Sequence, residues 1–381
     1  MSLSAFYFII FMAGGAFSNY VALYYVHVGL TTAQIGMISS LAAIVTVFVQ
    51  PFWGTIADRA KTKNRIICVA IVGSAAMVWL LPLADATVLG IFLAFTAFTV
   101  FQCAYNPLAD ATTLEICQKH KFNFSTIRTM GSLGFALAAF VAGHLIARNI
   151  MFIFPVFSGL MLFALFTLIF IPKVAGHQNK GDKANKHRFT DVLKHKRLVI
   201  IYIYALVIMT TMSFAFSFHA IYSAEIGITA DIIGTGVMIG SIAQFPFMLL
   251  FPKIVKKVPL VFVLCASGLV HAARWLLYAY ALNEVTIYFI CALHGFCFMV
   301  FYLCLTEIVS KTVPPELRAS GQTMNALVIL GLSRIIGSAL GGFGGELIGL
   351  QSVFAISGVL CIVATLVFFV VVKIRKFEKE F

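Results

Sequence analysis

Long apolar runs alternate with short polar connections along almost the whole chain. Each run holds about 19 residues or more, the length that an α-helix needs to cross the hydrocarbon core of a bilayer. A backbone in lipid must satisfy its own hydrogen bonds, which favours helices. The pattern predicts an all-α membrane protein with twelve transmembrane helices, at residues 3–27, 34–53, 66–84, 87–109, 126–147, 150–172, 198–222, 232–252, 258–282, 285–309, 320–345 and 349–372.

One polar connection is much longer than the others. Residues 173–197 fall between the sixth and seventh apolar runs and divide the twelve predicted helices into two sets of six. We predict an N-terminal six-helix bundle at residues 1–172, a cytosolic linker at 173–197 and a C-terminal six-helix bundle at 198–381.

Two short segments recur in corresponding places of the two halves. Gly29-Leu-Thr-Thr-Ala-Gln-Ile-Gly36 returns 198 positions later as Gly227-Ile-Thr-Ala-Asp-Ile-Ile-Gly234, each time between the first and second helix of a half. Glu115-Ile-Cys-Gln-Lys119 returns as Glu307-Ile-Val-Ser-Lys311. Parallel repeats of this kind are typical of transporters whose halves rock around a midplane site. The alternative is a duplication that was retained for packing alone.

The charge distribution predicts the orientation of the chain. Only 11% of the residues are charged, 61% are hydrophobic, and the formal net charge is +13. With the N-terminus in the cytosol, the cytosolic connections hold 23 of the 27 Lys and Arg. This positive-inside asymmetry explains the basic charge without a nucleic-acid partner. We expect a multi-pass protein of the plasma (cytoplasmic) membrane with both termini in the cytosol.

Enzyme chemistry has no visible equipment in this sequence. The eight cysteines form no C-x-x-C pair, and no histidine spacing of a zinc site accompanies them. The P-loop, H-E-x-x-H and G-x-S-x-G motifs are missing from the sequence. The first apolar run lacks the basic start of a cleavable signal peptide. We expect no enzyme, no cofactor and no metal, so a gradient must supply the energy of transport.

Two opposite charges lie inside the first half. Asp110 and Arg128 stand nine positions on either side of Lys119, in the short turn between the fourth and fifth runs. Antiparallel helices then place them about 13 Å from the turn, at the same depth. Such a pair can neutralise itself when empty and separate to meet a solute; the alternative is a fixed salt bridge. Gly131 leaves room on the same helix, and Phe135 offers a ring face to a solute.

The second half contributes a different set of ionisable side chains. Arg274 and His294 lie in the ninth and tenth runs, with His271 near Arg274. His294 can bind solute or relay protons, or it can be an ordinary buried histidine. Glu307 lies low in the tenth run, close enough to the cytosolic end to be a solvated or gating carboxylate. Arg334, in the eleventh run, has no acid close in sequence and needs a partner on another helix or an anionic ligand.

The connection between the second and third runs reads Gln50-Pro-Phe-Trp-Gly-Thr-Ile-Ala-Asp-Arg59. Gly54 permits a tight turn, and Asp58, followed by Arg59, can accept hydrogen bonds at the start of the third helix and pair with a base. We expect these residues to latch the cytosolic side. Lys61 and Lys63 are interpreted as topology-setting charges.

These motifs resemble the major facilitator superfamily, in particular its lactose-permease-like and phenylpropionate-permease-like branch. Q-P-x-x-G-x-x-x-D-[RK] at Gln50 to Arg59 is similar to its loop signature, and R-x-x-G-[SC]-x-G-[FW]-A at Arg128 to Ala136 to the fifth helix of lactose permease. The resemblance implies that Asp110, Arg128 and Phe135 bind solute, and that Arg274 and His294 belong to the same site. Cys297 and Cys291 stand where the permease has a proton-carrying Glu and a Lys, and Lys61 replaces a loop glycine.

The expected function is proton-coupled symport of a small polar solute by alternating access. A sugar, an oligosaccharide or a nucleoside is preferred, and an aromatic carboxylate is next. Asp110, Glu307 or His294 would carry the proton. The partners are then the solute, protons and the lipid bilayer, with a monomer as the expected state. The alternatives are a proton-driven sugar or drug exporter and, in another class, a lipid flippase.

Overall fold

The structure, a computed structural model, describes residues 2–84, 87–176, 195–280, 284–313 and 318–375, without the side chains of 125, 284 and 318–320. Every regular element in these ranges is helical, so the all-α prediction is confirmed. Twelve helices are long and apolar enough to cross a membrane: α1 (Ser2–His27), α2 (Thr32–Arg59), α3 (Lys63–Leu83), α4 (Val88–His120), α5 (Thr126–Ile146), α6 (Ile150–Leu168), α7 (Lys196–Glu225), α8 (Ala230–Ile254), α9 (Leu260–Tyr280), α10 (Val285–Thr312), α11 (Gly321–Ile348) and α12 (Leu350–Ile374).

Helix α4 is longer than its apolar run predicts. The polar residues after position 109 do not end it, because it continues to His120. Lys121 ends the helix in the left-handed conformation, with φ at 57°, and its backbone N–H donates to the carbonyl of Cys117. Asp110 therefore lies inside a helix, where its position relative to neighbouring helices is well defined.

Helix α2 also extends beyond its apolar run, which corrects the expected role of Gly54. The helix includes Gly54 and continues to Arg59, so the chain makes no turn at this glycine. A Cβ at Gly54 would meet no atom of the described residues within 4 Å. The chain leaves the helical conformation at Ala60 instead, where ψ is 149°.

The repeated segments adopt the same turn. Gly29 and Gly227 both have φ at +86°, a conformation that glycine adopts without strain. The N–H of Leu30 donates to the carbonyl of Tyr25 at 3.0 Å, and the N–H of Ile228 donates to that of Ser223 at 2.9 Å. The predicted repeat is therefore visible in the backbone as well as in the sequence.

Backbone contacts group the chain into two compact units: Met1–Gly181 with Ser223–Met238, and Asp182–Tyr222 with Ile239–Phe381. Residues 223–238 group with the first unit because α8 begins against α5. A Cβ at Gly234 would overlap the carbonyl of Ala139, and one at Gly143 would lie 2.6 Å from the carbonyl of Ala230. Most of the predicted linker, residues 177–194, lies outside the described residues, and the predicted domain boundaries stay a prediction.

Glycines bring the first and fifth helices of each half together. In the first unit, a Cβ at Gly134 of α5 would overlap the carbonyl oxygen of Phe8 on α1. In the second unit, a Cβ at Gly337 of α11 would overlap the carbonyl oxygen of Thr210 on α7. Small residues that allow backbones to approach are typical of helix packing in membranes. Each unit thus holds its fifth helix firmly against its first.

Candidate functional site

The charged pair of the first unit joins α4 to α5. The Nη1 atom of Arg128 donates to both carboxylate oxygens of Asp110, at 2.6 and 2.5 Å. The hydroxyl of Tyr7, on α1, donates to Asp110 Oδ1 at 2.7 Å. Three helices therefore meet at one carboxylate, as the expected equal depth of Asp110 and Arg128 requires. Tyr7 itself is fully buried, whereas the two charged groups are not.

Helix α1 also supports the guanidinium of Arg128 through an aromatic ring. The Cζ atom of Arg128 lies 5.0 Å from the ring centroid of Phe11, within the range of a cation–π interaction. The same ring fills the space at Gly131, where a Cβ would lie 2.9 Å from it. The expectation that Gly131 leaves room for a solute is therefore wrong, because a neighbouring helix occupies that room.

Phe135 lies on α5 two turns beyond Arg128 and is half-buried. Its backbone carbonyl packs on Gly15 of α1, where a Cβ would lie 2.5 Å from the oxygen. The position of Phe135 along α5 is thus fixed by α1.

The Asp110–Arg128 pair is partly exposed. The side chains of Asp110 and Arg128 are 32% and 43% exposed. Helices α4 and α5 share few other contacts, since α5 packs mainly on α1. A solute hydroxyl can accept from Arg128 or donate to Asp110 in place of the pair, at little cost in packing. Charge-assisted hydrogen bonds of this kind are among the strongest that a protein offers to a polar solute.

The second unit places Arg274 of α9 beside His294 of α10. Arg274 Nη1 lies 3.2 Å from His294 Nδ1, and Arg274 Nε donates to the carbonyl of Ile290 at 3.1 Å. The guanidinium lies over the ring of Trp275, at 4.7 Å from its centroid. Because Arg274 is always a donor, His294 Nδ1 accepts, which keeps the imidazole neutral. No carboxylate among the described residues forms an ion pair with Arg274.

Two further histidines surround this arginine. His271 is fully buried and its Nδ1 lies 2.8 Å from the carbonyl of Ser267, while its Nε2 has no hydrogen-bond partner among the described residues. His219 of α7 is near enough to Arg274 and His294 to interact with them electrostatically. The sequence interpretation missed His219, because its only signal was a lone polar residue inside the seventh apolar run.

Within the described residues, Glu307 makes no hydrogen bond to Arg274 or to the histidines around it. Its Oε1 is 3.7 Å from Lys311 Nζ, one turn further along α10, and both side chains are 44% exposed. An exposed pair at this spacing contributes little to stability. Glu307 is thus a solvated carboxylate near the end of its helix.

An ionic cluster connects the α2–α3 connection to α4. Lys63, at the first turn of α3, pairs with Glu115 of α4 and lies 3.6 Å from Asp58 Oδ1. The Lys63 side chain is only 6% exposed, so Lys63 is part of a buried ion pair in addition to any role as a topology-setting charge. Asp58 lies at the end of α2, and not at the start of the third helix as expected. Arg59 is exposed beside it, and Lys61 is exposed as well.

The segment after α6 packs against the same connection. The N–H of Lys63 donates to the carbonyl of Val174 at 2.8 Å, and the N–H of Gly176 donates to that of Ala60 at 3.1 Å.

The eight cysteines are free. Among the described residues, no three His, Cys, Asp or Glu side chains converge in a way that could hold a metal ion.

A model of the MFS_1 like family matches residues 1–356. The chain belongs to this family, a branch of the major facilitator superfamily of membrane transporters. The uncharacterized transporter YwbF of Bacillus subtilis is 28% identical over 95% of this chain and 90% of its own length. The maltose permease of Geobacillus stearothermophilus is 26% identical over 97% and 93%. The crystal structure of the nucleoside transporter NupG, at 19% identity, superposes with a TM-score of 0.85 over 97% of this chain and 98% of NupG, which shows the shared fold.

Proposed function

We propose that this chain is a proton-coupled symporter that carries a sugar, an oligosaccharide or a nucleoside, with an aromatic carboxylate as the next class. Transport of a small polar solute agrees with its family and with relatives that include a maltose permease. The observation that carries the proposal is the half-exposed Asp110–Arg128 pair, joined by Tyr7, because such a pair can exchange its internal hydrogen bonds for bonds to hydroxyl groups.

The solute would bind by opening this pair. Arg128 offers donors and Asp110 offers acceptors, so one hydroxyl group, which donates and accepts, can satisfy both. Phe135 follows on the same helix and supplies apolar area for a sugar ring or a base. Arg274 and His294 are the proposed contributions of the second unit, since Arg274 stays a donor and His294 keeps its Nε2 available.

Proton coupling is proposed at Asp110, Glu307 or His294. Asp110 has the strongest case because protonation would weaken both bonds from Arg128 and so favour the opened pair. His294 cannot accept from Arg274 once it is protonated, so a proton there would also break an observed hydrogen bond. Glu307 is solvated and can exchange protons with water.

The Asp58–Lys63–Glu115 cluster supports a latch at one end of the first unit. Asp58 contributes an exposed carboxylate to it, and Arg59 follows at the helix end. Gly54 would act one turn earlier on α2, where no atom in the described part of the chain lies within 4 Å of a Cβ, which leaves space for another helix to approach.

We further propose that the protein lies in the plasma membrane with both termini in the cytosol, acts as a monomer, and catalyses no chemical reaction. The basic connections support the orientation, since Lys and Arg concentrate on the cytosolic side of bacterial membrane proteins.

The proposal is tested with purified protein in proteoliposomes that contain a pH-sensitive dye. Maltose, sucrose, uridine, thymidine and phenylpropionate are added in turn, and labelled solute uptake is measured in parallel. We expect internal acidification with at least one solute in the wild type, and neither acidification nor uptake in Arg128→Ala. Lys61→Ala, which removes an exposed charge, serves as the control. Uptake without acidification would refute coupling, and normal uptake by Arg128→Ala would remove the pair from the site.

A further inference from the structure

The arginine of the candidate site has an equivalent in the second half. The segment Arg128-Thr-Met-Gly131-Ser132 of α5 returns 206 positions later as Arg334-Ile-Ile-Gly337-Ser338 of α11. Each segment lies on the fifth helix of its half, and each packs through its glycine on the first helix of that half. Arg334 therefore corresponds to Arg128 in both sequence and packing.

The two arginines also have the same aromatic support. Arg128 Cζ lies 5.0 Å from the ring centroid of Phe11, and Arg334 Cζ lies 4.9 Å from that of Phe216. Phe216 follows Phe11 by 205 positions and lies on α7, the first helix of the second half. A cation over a phenyl ring is thus built twice, each time between the fifth and the first helix of a half.

Arg334 points away from the exposed apolar residues in the C-terminal half of its helix. It is exposed in the middle of the 28-residue helix α11. The exposed apolar residues Leu340, Phe343 and Leu347 lie about 180–240° around the helix from it. Gly337 and Ser338 flank Arg334 on the face that packs on α7, where Ser338 bonds to Ser217 at 2.9 Å. A π-helical turn, Leu327–Leu332, ends two residues before Arg334, and such turns are frequent at functional sites.

The equivalent of the neutralising carboxylate is missing in the second half. The Glu115–Glu307 correspondence places Tyr302, an uncharged and exposed side chain, where the first half has Asp110. Within the described part of the chain, the guanidinium of Arg334 makes no hydrogen bond or ion pair, and its contact is the ring of Phe216. A charge inside a membrane helix is costly, so an arginine kept there needs a counter-charge or water.

We propose that Arg334 binds an acidic group, a carboxylate or a phosphate, on the transported solute. The solute then supplies in the second unit the counter-charge that Asp110 supplies in the first. The flat guanidinium, supported by Phe216 from one side, presents its N–H groups in the geometry that carboxylates and phosphates accept in pairs. This inference rests on the proposed function as a solute transporter and, within the proposed solute classes, favours members that carry an acidic group, such as sugar acids, nucleotides or aromatic acids.

The test uses matched solutes that differ in the acidic group: glucose and glucuronate, thymidine and thymidine monophosphate, phenylpropanol and phenylpropionate. Binding to the purified full chain is measured by titration calorimetry. We expect the wild type to bind the acidic member of at least one pair about tenfold or more tightly than the neutral one. Glucuronate and phenylpropionate report a carboxylate site, and the nucleotide a phosphate site. Arg334→Gln should remove the preference, and Arg148→Gln, in an exposed turn, should retain it.

The proposal is overturned if no acidic member binds the wild type more tightly than its neutral partner, or if Arg334→Gln retains the preference. If Arg334→Gln does not fold, Arg334→Lys decides, because it keeps the charge but loses the paired donors and should weaken acidic binding severalfold. Neutral solutes bound through Arg128 and indifferent to Arg334 would refute this inference and leave the symport proposal intact. Binding that depends on Arg334 and not on Arg128 would support this inference and refute the proposed role of the Asp110–Arg128 pair in symport.

Discussion

Arg128 and Arg334 occupy equivalent places in the two halves but differ in whether a carboxylate neutralises them. Both follow the R-x-x-G-S pattern, and both lie about 5 Å from a phenylalanine ring of the first helix of their half. Arg128 is paired with Asp110, whereas Arg334 makes no ion pair with a described residue.

The difference indicates that the duplicated framework was kept while the chemistry diverged. A neutralised arginine exchanges hydrogen bonds with hydroxyl groups at little electrostatic cost. An arginine without a carboxylate attracts one. We therefore propose that the Asp110–Arg128 pair suits a neutral hydroxyl group and that Arg334 suits an acidic group.

The largest effect is expected when the pair of the first unit is broken. Asp110→Asn would leave Arg128 without its counter-charge, as Arg334 is now. Solute affinity should fall about ten- to hundredfold, since a hydrogen bond to a charged group is worth about 1.5–3 kcal/mol. Folding should be largely retained because both side chains are partly exposed. Equilibrium binding and gel filtration measure the two effects, with Lys61→Gln as the control. Unchanged affinity would mean that the pair is only a structural salt bridge.

The next largest effect, on solute affinity, is expected when the second unit is given a carboxylate like that of the first. Tyr302→Asp introduces a carboxylate at the position equivalent to Asp110. It should compete with an acidic solute and reduce its affinity about tenfold, while a neutral solute is affected less. The matched variant Tyr302→Asn controls for loss of the phenol ring. Equal effects of the two variants would argue against an acidic ligand at Arg334.

A moderate effect on stability is expected from the buried lysine of the first unit. Lys63→Met keeps the apolar stem but removes the charge that Glu115 and Asp58 share. We expect a loss of about 1–2 kcal/mol, less than for a fully buried pair because both acids are partly exposed. Thermal unfolding in detergent should show a decrease of a few degrees. Lys61→Met is the control, and an equal decrease for both would contradict the special role of Lys63.

The smallest effect is expected at the equivalent acid of the second unit. Glu307→Gln breaks only an exposed pair with Lys311, one turn away. Stability should change by less than about 0.5 kcal/mol. Glu115→Gln, which leaves Lys63 without its closest partner, should cost clearly more. Thermal unfolding of the two variants side by side measures the difference, and a larger loss for Glu307→Gln would contradict the comparison.

The sequence was sufficient to predict the features that depend on solvent and spacing. Apolar length predicted twelve helices, because lipid allows few other structures. The repeated Gly29 and Gly227 predicted equivalent turns, which share φ at +86°. The spacing of Asp110 and Arg128 around one turn predicted that they meet. Each of these predictions used information along one helix or one helix pair.

The wrong or missing predictions concern contacts between a residue and a helix that is distant in the sequence. The space beside Gly131 is filled by the ring of Phe11, from a helix about 120 positions earlier in the chain. Lys63 is buried because Glu115 lies against it, although both stand in polar segments. Tyr7, which holds Asp110, carried no signal among many aromatic residues of the apolar runs. Such contacts depend on how helices pack, which the spacing within each helix does not specify.

The most direct test of the account is whether a solute changes the Asp110 carboxylate. Infrared difference spectra would be recorded on adding a solute that the protein transports, with Asp110→Asn to assign the carboxylate band. If the solute opens the pair, the wild type shows a shifted Asp110 band that the variant lacks. Identical spectra for wild type and variant, at solute concentrations that saturate both, would show that the solute binds elsewhere.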